Sequence, residues 1–292
     1  MSFKINKKLY CSLCKRTRVA KFWAMPGYKL ARCSSCGMVW DPFPPVNAFS
    51  RYDRNYFINE NPKGGYANYF EGMKINKKTF YQRLLRIEKR IGGKGRLLDV
   101  GCALGDCLSE AKILGWTDVV GLEVSSFAFQ FAKRRGLKVK LGTLSKTFFK
   151  PNTFDAVLYQ DVVEHIKDPL NELIKVKKVL KPRGLVFLVT PDIEGLWSKL
   201  LGRFWYHYKP GEHLNYFSQK TIKSVLKKSG FVNIKTQETF HVLSVEYVLN
   251  RLRFYSPSFF GFLLKLAKKI GISNLAFRGY IGEFEAWAQK PD

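Results

Sequence analysis

No apolar run in the chain is long enough to cross a bilayer. The longest stretch without a charge, residues 254–264, covers 11 of the 292 positions, and a spanning helix needs about 20. The basic start "MSFKINKKLYC" lacks the apolar segment of a signal peptide. Together these set the expectation of a cytoplasmic protein. Acidic residues are scarce, with 23 Asp and Glu against 50 Lys and Arg, a formal net charge of +27. Histidine is scarcer still, at four residues, so imidazole candidates for general-base work are few. What the chain does not lack is apolar bulk. A hydrophobic content of 46%, with 24 Phe and 14 Tyr, excludes a disordered chain and can fill a sizeable core.

The basic excess is uneven. Residues 1–96 carry 21 basic and 5 acidic side chains, net +16, and the remainder 29 and 18, net +11. Such an excess suits nucleic acid, an anionic membrane surface or a phosphorylated substrate, and equally a solvated lysine-rich surface.

Six cysteines fall into two groups. Cys11, Cys14, Cys33 and Cys36 form two Cys-x2-Cys pairs separated by 18 residues. Each pair can aim two thiolates at one ion, and four sulfurs suit tetrahedral zinc. With every position a protein ligand, none is left for water, so the zinc is expected to be structural. A redox dithiol is the competing reading. A short hairpin across Met25-Pro26-Gly27 fits between the pairs. These spacings set a zinc ribbon over residues 1–46.

Residues 47–94 read as a connector and helical lid. "MVWDPFPPVNAF" is proline-rich and extended, and "YDRNYFINENPKGGYANYF", with Gly64-Gly65, reads as loops and short helices. In "NKKTFYQRLLRIEKRI", Phe80, Leu84, Ile87 and Ile91 share one helical face. The other face, with Lys77, Lys78, Arg83, Arg86, Lys89 and Arg90, is expected to be solvated, with contact to substrate the lesser reading.

From Arg96 strand-like and helix-like segments alternate, which means βαβ units and a parallel sheet with helices on both faces, an α/β domain over residues 95–292. Ligands in such sheets sit at the carboxyl ends of the strands. The loop in "LLDVGCALGDCL" (residues 97–108) lies at one such end. It is not a P-loop, because Asp106 follows Gly105 where Lys is required. It is not a dinucleotide fingerprint, which would place glycine at 101, 103 and 106; only Gly101 complies. Cys102 and Cys107 lie apart from the metal set, and Cys107 is expected to face the core.

"DVGCALGD" instead resembles the first motif of class I S-adenosylmethionine (SAM)-dependent methyltransferases. Asp99, Gly101 and Gly105 match it, and Ala103 replaces the middle glycine. The resemblance runs over roughly residues 75–292, towards the UbiG-type and sugar C-methyltransferases, some of which carry an N-terminal zinc ribbon. It implies a Rossmann-like seven-stranded sheet and SAM as the methyl donor. It assigns Glu123 to the ribose hydroxyls, Thr143 and Leu144 to the adenine, and Gln160 and Asp161 to positions near SAM. "LKPRGLVFLVTP" is similar to the turn before strand five, and "GEFEAWAQKP" to the final antiparallel strand.

A hydroxyl or carbon-acid nucleophile needs a base. His165, His207, His213 and His241 are the candidates. His165 reads as a packed histidine and His207 as a weaker candidate. In "GEHLNYFS" the resemblance points to His213 as base, with Glu212 orienting it or holding substrate and Tyr216 as a nearby contact. A histidine that merely caps this segment is the structural alternative. The acceptor is expected to be a small molecule, a sugar or polysaccharide, or a lipid-linked compound, with a phosphate among its options. RNA bound through the basic ribbon and a non-catalytic SAM-domain adaptor are the alternatives. "YQDVV" is not the Asn/Asp-Pro-Pro-aromatic motif of base amino methylation. Finally, in residues 256–272, Phe259, Leu263, Leu266 and Ile270 share a face opposite Lys265, Lys268 and Lys269. That helix fits packing on the core or peripheral contact with a membrane surface.

Overall fold

The computed structural model describes residues 9–17, 19–25, 28–46, 51–58, 69–147, 149–253 and 255–292, with the backbone path alone for 20–25, 28–29 and 69–74. Between the cysteine pairs, β1 (Val19–Met25) and β2 (Tyr28–Cys33) form an antiparallel hairpin. The expected turn residues Pro26 and Gly27 lie outside the described residues, as do Gly64 and Gly65. β3 (Val39–Trp40) pairs with β2. A short α1 (Arg54–Phe57) is capped by Asp53, whose carboxylate accepts the Tyr56 N–H. The long α2 (Tyr69–Ile91) follows.

The alternating part folds as β4 (Arg96–Val100), α3 (Asp106–Ile113), β5 (Asp118–Glu123), α4 (Ser126–Arg134), β6 (Val139–Leu141), β7 (Phe154–Gln160), α5 (Pro169–Val179) and β8 (Leu180–Pro191). Leu97, Leu98, Ala156, Val157 and Leu158 are fully buried, as the near-continuous apolar strands of a two-sided parallel sheet must be. Next come α6 (Leu196–Leu201), β9 (Asn215–Tyr216), α7 (Gln219–Lys228), β10 (Val232–Ser244), α8 (Val245–Leu252), α9 (Pro257–Lys269) and β11 (Ala276–Gln289). The seven-stranded sheet has the order β6-β5-β4-β7-β8-β11-β10. β11 runs antiparallel to both neighbours, and the β4, β5, β6, β7 and β8 pairings are parallel. Strand order reverses between β4 and β7, so the loops after both open into one crevice. Among the described residues no helix is long and apolar enough to cross a membrane.

Three features differ from expectation. First, the ribbon is not a separate body. β9, from the segment "GEHLNYFS", pairs with β3 and completes a four-stranded sheet β1-β2-β3-β9. Cys11, Cys33, Met38 and Trp40 share one core with Phe217, Ile222 and Leu226 of the α/β part. Second, the basic face of α2 is not uniformly solvated. Arg83 is buried, one helical step beyond the apolar stripe where Leu84 and Ile87 are sealed against the sheet. Third, α9 packs on the protein through Leu264 and Ala267, and most of the apolar stripe stays exposed.

α2 is fastened to the sheet by charge as well as by packing. Glu285, on β11 and wholly buried, accepts from Arg86 Nη2 at 2.6 Å, from Gln237 Nε2 at 2.6 Å and from Thr239 Oγ1 at 3.3 Å. Removing the cation strands a buried carboxylate, which costs more than the pair contributes when intact. Arg86→Ala is expected to lower the unfolding free energy by about 3 kcal/mol. That is the low end for a buried pair, because Arg90 stays within 4.0 Å. Urea unfolding of the two proteins checks it.

Candidate active site

The loop after β4 must reverse sharply to start α3 over the end of β5. Gly101 takes φ +71°, Ala103 φ +48° and Gly105 φ +86°, all in the left-handed region that side chains disfavour. A Cβ on Gly101 would stand 2.5 Å from Val162 Cγ2, and one on Gly105 would stand 2.3 Å from Leu137 Cδ1. Val162 is β-branched and stiff, so the first clash has no easy relief. Ala103 thus keeps a glycine-like conformation without being glycine. Glu123 holds it there: Oε2 accepts the Ala103 N–H at 2.8 Å, and Oε1 accepts those of Val124 and Ser125 at 2.8 and 2.7 Å. Burial raises the Glu123 carboxyl, and these three donors pull it back.

The loop, the end of β5 and the turn after β6 wall one side of a cavity of about 430 Å³. Asp99, Gly101, Ala103, Glu123, Thr143, Leu144, Gln160 and Asp161 all line it. Gly105 does not; it caps α3 from behind. The cradle fits SAM. Its backbone is bare where a Cβ could not stand, Glu123 keeps acceptor capacity for ribose hydroxyls, and Asp99 offers a carboxylate to a cation. Burial, together with the charge of Glu123, pushes Asp99 up to about 7 against a hydrogen bond from Gln160. Gln160 is itself fixed, accepting from Arg83 Nη1 at 3.1 Å and donating to Cys107 Sγ at 3.3 Å.

The far end of the cavity is polar. Asp161 sits at φ +55°, with Oδ1 buried and, among the described residues, without a hydrogen-bond partner. Burial, then the charge of Glu283, pushes its carboxyl up to about 8. Glu283 accepts from or shares a proton with His241 Nε2 at 2.7 Å, and His207 Nε2 lies 3.8 Å from its other oxygen. Arg83 Nη2 also reaches His241 Nε2, at 3.2 Å. Glu164, His165 and His213 bring one ligand atom each within 4.8 Å of one another, and Glu164 Oε1 has no hydrogen-bond partner.

The segment expected to supply the base is placed by its neighbours. His213 lines the cavity, buried edge-on to the His165 ring at 4.8 Å. Burial, with His165 and Lys209 nearby, holds its pKa well below the usual imidazole value, so it is neutral. Its ring is hydrogen-bonded to the His207 backbone, and its own N–H donates to the Lys209 carbonyl at 3.0 Å. Glu212 also lines the cavity, but its Oε1 accepts from Tyr56 at 3.1 Å and Lys209 at 3.3 Å. Its carbonyl faces His165 Nδ1 at 2.9 Å, so it orients His165 through the backbone. Tyr216 does not line the cavity. Its ring lies 6.0 Å from that of His213 and packs with Leu30, Val39 and Trp205.

Sequence reasoning missed Glu164 and Glu283 as cavity residues, and gave Arg83 only as one of six basic side chains that substrate could touch. Arg83 had a legible signal, lying three residues after Phe80 and four before Ile87, at the edge of the apolar arc. Glu283 had none, because its neighbours come from β10 and the segment before β9.

The four N-terminal cysteines converge as expected. Cys11–Cys36 and Cys14–Cys33 sulfurs stand 3.5 Å apart, and all four Sγ atoms lie within 4.8 Å of one another. Four thiolates about 2.3 Å from one zinc would stand about 3.8 Å apart. Burial would raise Cys33, yet the N–H groups of Cys36 and Ser35 outweigh it and bring its thiol to about 7. The donor set fits a tetrahedral thiophilic ion. Cys102 and Cys107, free and buried, belong to the cradle.

Two outcomes test the cradle. Gly101→Ala is expected to weaken SAM binding by more than about 100-fold, whereas Ala103→Gly relieves a left-handed alanine and stabilises the protein by about 0.5–1 kcal/mol; calorimetric titration and thermal unfolding measure both. The cation of SAM favours ionised Asp99, so binding near pH 7 releases a proton and apparent affinity falls as pH drops below about 7. Titration in buffers of different ionisation enthalpy detects that proton, and Asp99→Asn is expected to abolish it.

Residues 72–236, more than half of the chain, match the family described as a methyltransferase domain. An uncharacterised protein of Methanocaldococcus jannaschii is 26% identical over 174 residues, 60% of this chain and 82% of that protein. A ubiquinone biosynthesis O-methyltransferase of Haemophilus ducreyi is 31% identical over 106 residues, 32% of this chain and 44% of that enzyme. The chain therefore spans less than half the length of that relative. Phosphoethanolamine N-methyltransferase 2 of Haemonchus contortus, solved with S-adenosyl-L-methionine, is similar in fold, with a TM-score of 0.54 at 18% identity over 94% of this chain and 71% of that one. With the cradle, the strand order and the family match in agreement, the chain belongs to the methyltransferase-domain family and is a SAM-dependent methyltransferase of the class I fold.

Proposed function

We propose that this enzyme methylates an oxygen or carbon atom of a small hydroxylated acceptor, a sugar or glycan unit or a lipid-linked compound, in the cytoplasm. The far end of the cavity carries the reading. Among the described residues, Asp161 Oδ1, Glu164 Oε1 and His207 Nε2, all buried there, meet no hydrogen-bond partner, and an unmet buried polar atom costs about 1–3 kcal/mol. An acceptor with several hydroxyls meets those atoms; a purely apolar one does not. Lys209 and Arg251 at the same end suit a phosphate on the acceptor.

SAM, when bound, supplies a methyl group already activated on its sulfonium. The chain holds the partners in line and excludes water, which is where most of the rate comes from. Asp99, Gly101, Ala103 and Glu123 are the residues that would hold the donor, with Thr143 and Leu144 at its adenine end. His213 is the proposed base. Its burial keeps the ring neutral and able to accept the proton of the acceptor hydroxyl. Glu212 sets the neighbouring His165 ring, and Tyr216 backs the wall. The four-cysteine cluster is proposed to hold structural zinc.

His213→Ala is expected to reduce turnover by about 100-fold or more while SAM affinity stays unchanged. Labelled-methyl transfer screened over sugar nucleotides, quinols and RNA is the measurement. Unchanged turnover removes His213 as base, and transfer to RNA alone overturns the acceptor class.

A further inference from the structure

α9 buries only part of its apolar face. At 100° per residue, Leu264 and Ala267 occupy the arc packed against the protein. Phe259, Phe262, Leu266 and Ile270 occupy an adjoining arc about 80° wide. These four are 43–63% exposed. Large side chains this exposed on one helix face mark an interaction site.

The rim of this face is basic. Lys265 and Lys269 border the exposed arc on its Phe262 side. Lys268 is ion-paired with Glu246 at 2.7 Å. From these observations we infer that the exposed face of α9 is a peripheral docking surface for an anionic lipid bilayer. The apolar arc enters the headgroup boundary and the lysines meet the anionic headgroups. A second copy of the chain is a poor occupant, because each would bring the same cations to the contact. α9 packs on α8, and α8 carries Tyr247 and Arg251 into the cavity. The docking surface and the acceptor end of the site thus share one helical hairpin. Docking itself does not depend on which acceptor is used, so it is tested without turnover.

The test is co-sedimentation of the full chain with phosphatidylcholine vesicles, with and without about one-third phosphatidylglycerol. The chain is expected to pellet with the anionic vesicles only. Phe262→Glu combined with Leu266→Glu is expected to reduce partitioning at least about tenfold, and Lys265→Glu with Lys269→Glu about tenfold. Both variants should keep wild-type SAM affinity, since neither touches the cavity. Absence of pelleting, or equal pelleting of the variants, overturns the proposal. So does a concentration-dependent dimer that Phe262→Glu abolishes, because the face would then be a contact between copies.

Discussion

One carboxylate, Glu123, governs the geometry of the donor site. It sits at the end of β5 and accepts three backbone N–H groups, one of them from Ala103 across the gap to the neighbouring strand's loop. The loop after β4 passes through three left-handed residues, and the one at Ala103 is a conformation that a residue with a Cβ seldom visits. A reversal of that kind persists only where its surroundings over-determine it. Val162 presses on Gly101 from the β7 side, Leu137 presses on Gly105 from behind, and Glu123 pins the middle. The cradle is therefore a property of three strands and not of the glycine loop alone.

The donor half of the site was legible in the sequence because it is local. Asp99, Gly101 and Glu123 lie where strand ends meet turns, and strand–turn–helix spacing leaves those side chains little choice of direction. Ala103 was legible as a departure, and its backbone shows how the departure is absorbed. The acceptor half was legible only in part. His213 and Glu212 were placed at the right wall, but their partners come from far along the chain: Tyr56 from α1, His165 from the turn after β7, Lys209 from the loop before β9. No periodicity encodes such meetings. Arg83 shows the limit most clearly. A cation beside a stripe of Phe80, Leu84 and Ile87 reads as solvated, and only the position of β7 and β10 turns it inward to Gln160 and His241. The helix at 256–272 was legible as amphipathic, but which of its apolar residues faced the protein was set by where α8 lies.

Charge is distributed with similar economy. The chain is strongly basic, yet its cavity collects carboxyl groups: Asp99, Glu123, Asp161, Glu164, Glu212 and Glu283. Most are pushed upward by burial, whereas Glu283 is pulled to about 2 by His241, His207 and Arg83, which outweigh its own desolvation. Carboxyl groups with such different environments can play different parts within a few ångströms, one holding a charge while another holds a proton. The surface excess of lysine leaves this interior pattern untouched, because the exposed charges are screened by water and salt.

The pairing of β3 with β9 has a consequence for how this molecule can vary. Val39 and Trp40 supply the edge against which Tyr216 and Asn215 lie, and two residues before Asn215 stands His213. An open strand edge at that point would invite pairing with another chain. The ribbon is thus the lid on a sheet edge as well as a cluster of cysteines. A shortened chain lacking it would have to close that edge by other means or associate through it. The cavity wall that carries His213 and the cysteine hairpin are therefore joined as one piece of architecture.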